Sequence, residues 1–278
     1  MPTNLFETAV TLAEYSLLII GLVLGWRFVL GSAARARARE TGPALPPWNT
    51  PLADFLVSVF LILGGGLLAS FACGVLLGSF HLAADTKAIL GSAAFQFGLL
   101  IGPALLPLNL GHPALRPPLS RAVLKSGLVT FLIALPIVTA VNLTWLELLK
   151  ITGLPSEQQD LLRMFTQTDS TALLALMAVL ATMVAPVAEE LLFRATIFRY
   201  VRTRLPRWIA LLLPGIIFAA LHVNWATLDG LPSFAPLIML AVVFSVAYER
   251  TGWIATPMIA HALFNLHTIL LLFAGVTT

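Results

Sequence analysis

Long apolar stretches separated by short polar segments dominate this chain. Eight such stretches cover residues 10–31, 55–78, 89–110, 126–149, 171–198, 208–224, 231–248 and 254–275. An α-helix needs about 20 residues to cross the roughly 30 Å hydrocarbon core of a bilayer, so each stretch predicts a membrane-spanning helix. The apolar residues run continuously instead of alternating with polar ones, which excludes a transmembrane β-barrel.

The composition agrees with an all-α, polytopic transmembrane helical bundle of about eight spans, forming one membrane domain over 1–278. Of the 278 residues, 59% are hydrophobic and only 10% are charged, whereas a typical soluble domain has about 25% charged residues. The single cysteine, Cys73, excludes an intrachain disulfide and a thiolate metal cluster. No Lys or Arg precedes Arg27, so the first stretch lacks the basic start of a signal peptide and is predicted to be a retained span.

The positive charges predict how the chain is oriented. If the N-terminus lies outside, the alternating inner segments carry every Lys and Arg except Lys87, Lys150 and Arg163. This bias follows the positive-inside rule and predicts an even number of spans with both termini outside. It also explains the net charge of +3, so we expect no nucleic-acid partner. We expect a multi-pass protein of a bacterial plasma membrane, because the chain is compact and shows no targeting sequence.

Polar side chains at membrane depth are concentrated in the last third of the chain. A charged side chain at the centre of a membrane helix costs at least about 2.5–3.5 kcal/mol, so such residues are functional candidates. They are Glu189, Glu190, Arg194, His222, His261, Asn265 and His267. Measured from the arginines of the inner surface at about 1.5 Å per residue, the polar residues of three stretches lie within about one helical turn of the same depth. The sequence therefore predicts one polar site inside the bilayer.

The spacing of these residues along their helices predicts which of them share a helix face. Glu190 and Arg194 are four residues apart and share a helix face, so Arg194 is predicted to neutralise Glu190. The neighbouring Glu189 then remains free to face a partner helix. His261 and Asn265 are also four residues apart and are predicted to project together.

Other residues near these positions have simpler explanations. His267 lies off the face shared by the two other polar residues of its helix, which places it outside the predicted site. Glu14 lies near the end of its stretch and is expected to reach water. Pro186, and Pro214 with Gly215, are predicted to kink or loosen their helices and to leave room for a polar cavity.

The residue types match the needs of amide hydrolysis. A glutamate in a low-dielectric site can take a proton from water, a histidine can orient the water or shuttle the proton, and an N–H group can stabilise the oxyanion. The same Glu and His residues could instead hold Zn²⁺, which would activate a bound water. A serine mechanism is disfavoured, because the sequence contains no Gly-x-Ser-x-Gly motif.

The candidates fall into three motifs that resemble those of a known family. Glu189-Glu190-Leu-Leu-Phe-Arg194 resembles EExxxR, Phe218-Ala-Ala-Leu-His222 resembles FxxxH, and His261-Ala-Leu-Phe-Asn265 resembles HxxxN. These are motifs of the CPBP intramembrane proteases, a family that includes the type II CAAX prenyl endopeptidases and the bacteriocin-processing and self-immunity proteins. The resemblance covers a catalytic core of about 125–270, with accessory spans over 10–110.

This resemblance implies an endopeptidase in which Glu189 is the general base that activates water and His222 assists it. His261 and Asn265 would then support the oxyanion. In a metal-dependent version, Glu189, His222 and His261 would be zinc ligands. The glutamate version is favoured here, and it requires no cofactor.

The resemblance also implies supporting residues and partners. Glu190 and Arg194 would form an ordering ion pair, and Phe218 would pack beside the site. The substrate is expected to be a membrane-anchored or lipidated protein or peptide that is cut within or beside the lipid bilayer. No feature of the sequence indicates an oligomeric state.

Two other classes of function are open. The chain could be a catalytically idle membrane protein that gives immunity to a peptide toxin or holds a partner, although intact motifs argue against this. It could also be an ion-coupled transporter, since intramembrane Glu and His mark ion paths. No inverted repeat, a common feature of transporters, is evident in the sequence.

Overall fold

The computed structural model describes residues 5–105, 120–156, 168 and 170–274, which form a bundle of helices. The helices are α1 (Leu5–Gly25, continued by a π-helical turn at Trp26–Leu30), α2 (Ser32–Thr41), α3 (Leu52–Gly78), α4 (Ala84–Leu99), α5 (Ile101–Leu105), α6 (Arg121–Thr152), α7 (Thr171–Arg204), α8 (Arg207–Ala220), α9 (Phe234–Thr251) and α10 (Ala255–Phe273). The prediction of an all-α fold is confirmed.

Seven helical runs of the described residues are long and apolar enough to cross a membrane. They are built on α1, α3, α4, α6, α7, α9 and α10. Large apolar side chains cover their outer surfaces, and in α3 only 11% of the apolar window is buried inside the protein. Phe60 and Phe71 of this helix are 73% and 71% exposed. Such a surface is stable against lipid and not against water, so the chain is an integral, multi-pass membrane protein.

The structure differs from the sequence prediction at the sixth apolar stretch, 208–224. Its helix, α8, has 14 residues and is therefore about 21 Å long, which is less than the roughly 30 Å of a full span. The helix begins after Pro206 and ends at Ala220, so residues 221–224 form turns. The end of the third stretch, 106–110, lies outside the described residues, and the predicted orientation of the termini stays a prediction.

The centre of the bundle is formed by α6, α9 and α10. Phe131 of α6, Leu240 and Phe244 of α9 and Ala260 of α10 belong to one buried cluster. The α1 helix packs along α6, and the pair α3 and α4 packs against α7 and α8 through a second cluster that contains Ile62. These contacts bring α7, α8 and α10 together. The predicted polar residues lie on α7 and α10, except for His222, which lies just beyond the end of α8.

Two π-helical segments interrupt α7, at Leu180–Val184 and Leu191–Phe198, on either side of Glu189 and Glu190. The first precedes Pro186, which has no N–H and cannot continue a regular α-helical hydrogen-bond ladder. In this segment the N–H of Ala185 bonds to the carbonyl of Leu180, five residues earlier. Such π-helical turns occur frequently at functional sites. The loosening that the sequence predicts at Pro186 is therefore present, as a change of helical register.

Candidate active site

Glu190 is the centre of a buried ionic cluster. Its Oε1 accepts a hydrogen bond of 2.8 Å from Nη1 of Arg194 and another of 2.9 Å from Nδ1 of His261. The side chains of Glu190 and Arg194 are 0% and 1% exposed, and that of His261 is 5% exposed. The pair within α7 has the four-residue spacing from which it is predicted. The contact with His261, on α10, joins the two helices at this depth through a buried hydrogen bond to a carboxylate.

Two phenylalanine rings enclose this cluster. The guanidinium carbon of Arg194 lies 5.3 Å from the ring centre of Phe218 on α8 and 5.5 Å from that of Phe244 on α9. The same two rings contact the imidazole of His261, at 6.3 Å and 5.5 Å between ring centres. Cation–π contacts of this kind stabilise a desolvated guanidinium. Phe218 is predicted from the FxxxH motif, whereas Phe244 lies in an apolar stretch where its sequence gives no signal.

Glu189 differs from Glu190 in its exposure and in its hydrogen bonds. Its side chain is 21% exposed, and it forms no hydrogen bond with the described residues. Its Oε2 lies 3.7 Å from Nε2 of His261, which is longer than a hydrogen bond. Because Nδ1 of His261 donates to Glu190, Nε2 faces Glu189 with a lone pair when the ring is neutral and with an N–H group when the ring is protonated. The site thus places a carboxylate with no hydrogen bond to the described residues beside an imidazole nitrogen.

His222 lies just beyond the end of α8, next to the ring of Phe218. Its Nδ1 is 2.7 Å from the carbonyl oxygen of Phe218, and its ring centre is 4.6 Å from that of the same residue. A carbonyl can only accept, so Nδ1 carries the hydrogen and Nε2 has a free lone pair in the neutral ring. The side chain is exposed. Phe218 therefore contacts both His222 and His261 and sets their spacing.

The loop that carries His222 is held by contacts that the sequence does not predict. Gly230 has a positive φ of 81°, and a side chain at this position would overlap the carbonyl oxygen of His222. Only glycine combines this backbone conformation with so close an approach. The loop is closed by a hydrogen bond of 2.8 Å from the N–H of Asn224 to the carbonyl of Asp229. It is joined to α6 by the indole of Trp145, which donates to the carbonyl of Leu231.

Asn265 lies one turn beyond His261 and makes a different contact. Its side-chain nitrogen donates to the carbonyl of Ala181 at 2.7 Å. This carbonyl lies five residues before Pro186, in the π-helical register where a proline nitrogen has no hydrogen to donate. Asn265 thus supplies the donor that α7 lacks.

The zinc alternative has no preformed ligand set in the described parts of the chain. They contain no group of three His, Cys, Asp or Glu side chains arranged to hold a metal ion. Glu189, His222 and His261 therefore do not fit a zinc site in this arrangement.

Glu14 and His267 form an intramembrane pair away from the predicted site. Nε2 of His267 lies 2.7 Å from Oε2 of Glu14, and the two side chains are 15% and 16% exposed. The expectation that Glu14 simply reaches water is incomplete, because its carboxylate joins α1 to α10. Residues 253 positions apart give no local signal of such a contact.

The fold and the site define a polytopic membrane protein with a buried Glu-Arg-His cluster and a free glutamate beside it. Residues 171–267 match the family model described as Type II CAAX prenyl endopeptidase Rce1-like, and this segment contains all three motifs. The resemblance predicted from the motifs is confirmed for this third of the chain, which is similar to intramembrane endopeptidases of the CAAX type. No curated protein and no solved structure matches the chain.

Proposed function

We propose that this protein hydrolyses a peptide bond of a membrane-anchored or lipidated protein, using a water molecule activated by Glu189. The observation that carries the proposal is the difference between the two adjacent glutamates. Glu190 is committed to Arg194 and His261, whereas Glu189 is partly exposed and forms no hydrogen bond with the described residues. A general base needs free lone pairs within reach of a water molecule, and Glu189 is the carboxylate that has them.

The charge of the cluster supports this role. Glu189, Glu190 and Arg194 together carry one net negative charge when His261 is neutral. Uptake of the proton of the attacking water brings this cluster to neutrality. The negative charge passes in the same step to the oxyanion of the tetrahedral intermediate, so the step conserves net charge. A cluster with a net negative charge favours proton uptake, and the oxyanion requires N–H donors.

The two histidines have complementary parts in the proposal. His222 presents its unprotonated Nε2 at an exposed position, where it can orient the water. It can then accept the proton that Glu189 takes from the water and pass it to the leaving amine as the C–N bond breaks. His261 keeps the two glutamates in register and, when protonated, offers Nε2–H to a developing oxyanion. Asn265 either assists this oxyanion or acts through α7, and the two roles predict different results in the variants described below.

The proposed mechanism requires no cofactor. In the metal-dependent alternative, Glu189, His222 and His261 would have to move into a common ligand set around zinc. Chelation separates the alternatives, because loss of activity on chelation and recovery on addition of Zn²⁺ would contradict the cofactor-free mechanism.

The test is cleavage by the purified protein in lipid nanodiscs. The substrates are matched membrane-anchored peptides with and without a prenyl group, and the variants are Glu189→Gln, His222→Gln and Glu147→Gln. Glu147 is a matched control because it is an exposed glutamate at the end of α6, paired with Lys150. We expect cleavage by the wild type and by Glu147→Gln, and a loss of at least about a hundredfold in the other two variants.

The thermal unfolding midpoint of each variant is measured in parallel. An inactive Glu189→Gln protein with the wild-type midpoint supports the role of general base. Full activity in this variant would overturn the proposal, and inactivity of the wild type on every peptide would favour the idle immunity or scaffold protein instead.

A further inference from the structure

A pocket lined by both apolar and charged residues lies at the other end of α7, away from the catalytic cluster. It has a volume of about 340 Å³. Its lining comprises Pro43, Ala44, Leu45, Pro46, Pro47, Arg199, Arg202, Thr203 and Glu249. This volume is at the lower end of the range of small-ligand sites, which is about 300–1,000 Å³.

Hydrogen bonds hold the connection between α2 and α3 in place over the pocket. The backbone N–H groups of Ala44 and Leu45 donate to the carbonyl of Glu249 at 3.0 and 3.2 Å. The N–H of Trp48 donates to the hydroxyl of Thr203 at 2.9 Å, and Arg204 donates to the carbonyls of Trp48 and Thr50. The connection between α2 and α3 is thereby fastened across the ends of α7 and α9, with the pocket beneath it.

Arg199 lines this pocket with unused hydrogen-bond donors. The residue is only 2% exposed, yet its Nε and Nη1 have no hydrogen-bond partner among the described residues. The hydroxyl of Tyr248, a neighbour on α9, is likewise buried without a partner. A buried guanidinium with unsatisfied N–H groups is costly, and native structures normally satisfy such groups. A hydrogen-bond acceptor bound in the pocket would satisfy these donors, and an anionic acceptor would also compensate the buried positive charge.

The charges around the pocket favour an anion. Glu249 is the one acidic residue of the lining, and both of its carboxylate oxygens are already engaged: Nε of Arg202 donates to one at 2.6 Å and Nε of Arg207 to the other at 2.7 Å. These three residues carry one net positive charge, and Arg199 adds a second. The planar fork of a guanidinium matches the oxygen geometry of phosphate and carboxylate groups.

From these observations we propose that the pocket binds the phosphate of an anionic phospholipid headgroup. The positive-inside distribution predicts that the arginine-rich end of α7 lies at the inner surface, where headgroup phosphates are found. Basic pockets between membrane helices are a recurrent way of holding anionic headgroups. Trp48, which lies over Arg199 at 5.6 Å, is a residue type enriched at that interface.

The carboxylate of a bound substrate fits less well. Ala195 and Phe198, which are fully buried, lie on α7 between Arg194 of the catalytic cluster and Arg199 of the pocket. Arg199 also follows Glu190 by nine residues of helix, about 13 Å along α7. A headgroup that enters the pocket from the inner surface does not have to cross these side chains.

The test measures lipid binding to the full-length protein purified in nanodiscs of zwitterionic phosphatidylcholine. Phosphatidylglycerol is titrated in, bound lipids are counted by native mass spectrometry, and the thermal unfolding midpoint is recorded. The wild type should retain phosphatidylglycerol and unfold at a higher temperature in its presence. Arg199→Gln should bind this lipid about ten- to a hundredfold more weakly, because it loses charge-assisted hydrogen bonds.

Arg37→Gln is the matched control, since it removes the same charge from an exposed position on α2. If Arg199→Gln does not fold, Arg202→Gln tests the same pocket at a residue whose side chain is 30% exposed. Equal binding by the Arg199 and Arg37 variants overturns the proposal. An equal stabilisation by inorganic phosphate in the absence of phosphatidylglycerol overturns the lipid assignment and identifies a soluble phosphate as the ligand.

Discussion

The side chain of Asn265 donates a hydrogen bond to the carbonyl of Ala181, five residues before Pro186. It replaces the backbone donor that the proline removes from α7. We expect Asn265→Leu to destabilise the protein by about 1–3 kcal/mol, because it leaves the partly buried carbonyl of Ala181 unpaired. In a Pro186→Ala background the backbone N–H returns, so the same substitution should cost less. Denaturant unfolding of the four proteins measures this coupling.

The same four proteins, the wild type, the two single variants and the double variant, also distinguish the two proposed roles of Asn265 in cleavage. If Asn265 acts by positioning α7, activity lost in Asn265→Leu should return in the double variant. If its amide instead stabilises the oxyanion, Pro186→Ala cannot rescue the activity. Strictly additive losses in both stability and activity would contradict the positioning role.

The adjacent glutamates should give opposite results when each is replaced by glutamine. Glu190→Gln leaves Arg194 buried without a charged partner, and breaking a buried pair in this way costs about 3–5 kcal/mol. Glu189→Gln changes a partly exposed carboxylate with no hydrogen bond to the described residues, so its stability should stay within about 0.5 kcal/mol of the wild type. Thermal unfolding in nanodiscs measures both values. Equal destabilisation by the two substitutions would contradict a structural role for Glu190 alone.

Two features of the site follow from the sequence: which side chains share a helix face, and which residues lie at a common depth in the membrane. Glu190 and Arg194 lie on one helix, where a four-residue spacing is enough to bring side chains together. The helical rise also brought Glu189 and His261 to a common depth. Depth does not give the rotation of one helix against another, so the hydrogen bond between His261 and Glu190 was not predicted.

Features that depend on the path of the loops were missed. Helix α8 ends before His222 because the chain turns there, although the hydropathy of the stretch continues to residue 224. The pocket at Arg199 exists because a connection some 150 residues earlier docks over it, through contacts such as that of Trp48 with Thr203. A linear pattern of apolar residues contains no record of such docking.

The loop glycine opposite His222 should be required for cleavage. Gly230→Ala has to adopt a positive φ and also meets the carbonyl oxygen of His222, so the loop must shift and move the imidazole. Gly153→Ala is the matched control, because Gly153 has a φ of 70° but nothing lies within 4 Å of an added side chain. Both variants should lose about 1–2 kcal/mol of stability from backbone strain.

Only Gly230→Ala should also lose cleavage, by about tenfold or more, since a misplacement of about 1 Å in a catalytic group can cost a hundredfold in rate. Cleavage of the best peptide from the substrate panel measures this difference. Similar rates in the two alanine variants would show that the position of the loop does not control the reaction.

The pair formed by Glu14 and His267 should contribute to stability and not to cleavage. Each single substitution, Glu14→Leu or His267→Leu, leaves one polar group in the membrane without its partner and should cost about 1–3 kcal/mol. The double substitution removes both groups, so we expect it to be closer to the wild type than the sum of the two single effects. Denaturant unfolding gives the coupling energy, and peptide cleavage should be unchanged in every variant that remains folded. Loss of cleavage in a stable variant would mean that this pair, which lies outside the Glu190 cluster, also acts on the reaction.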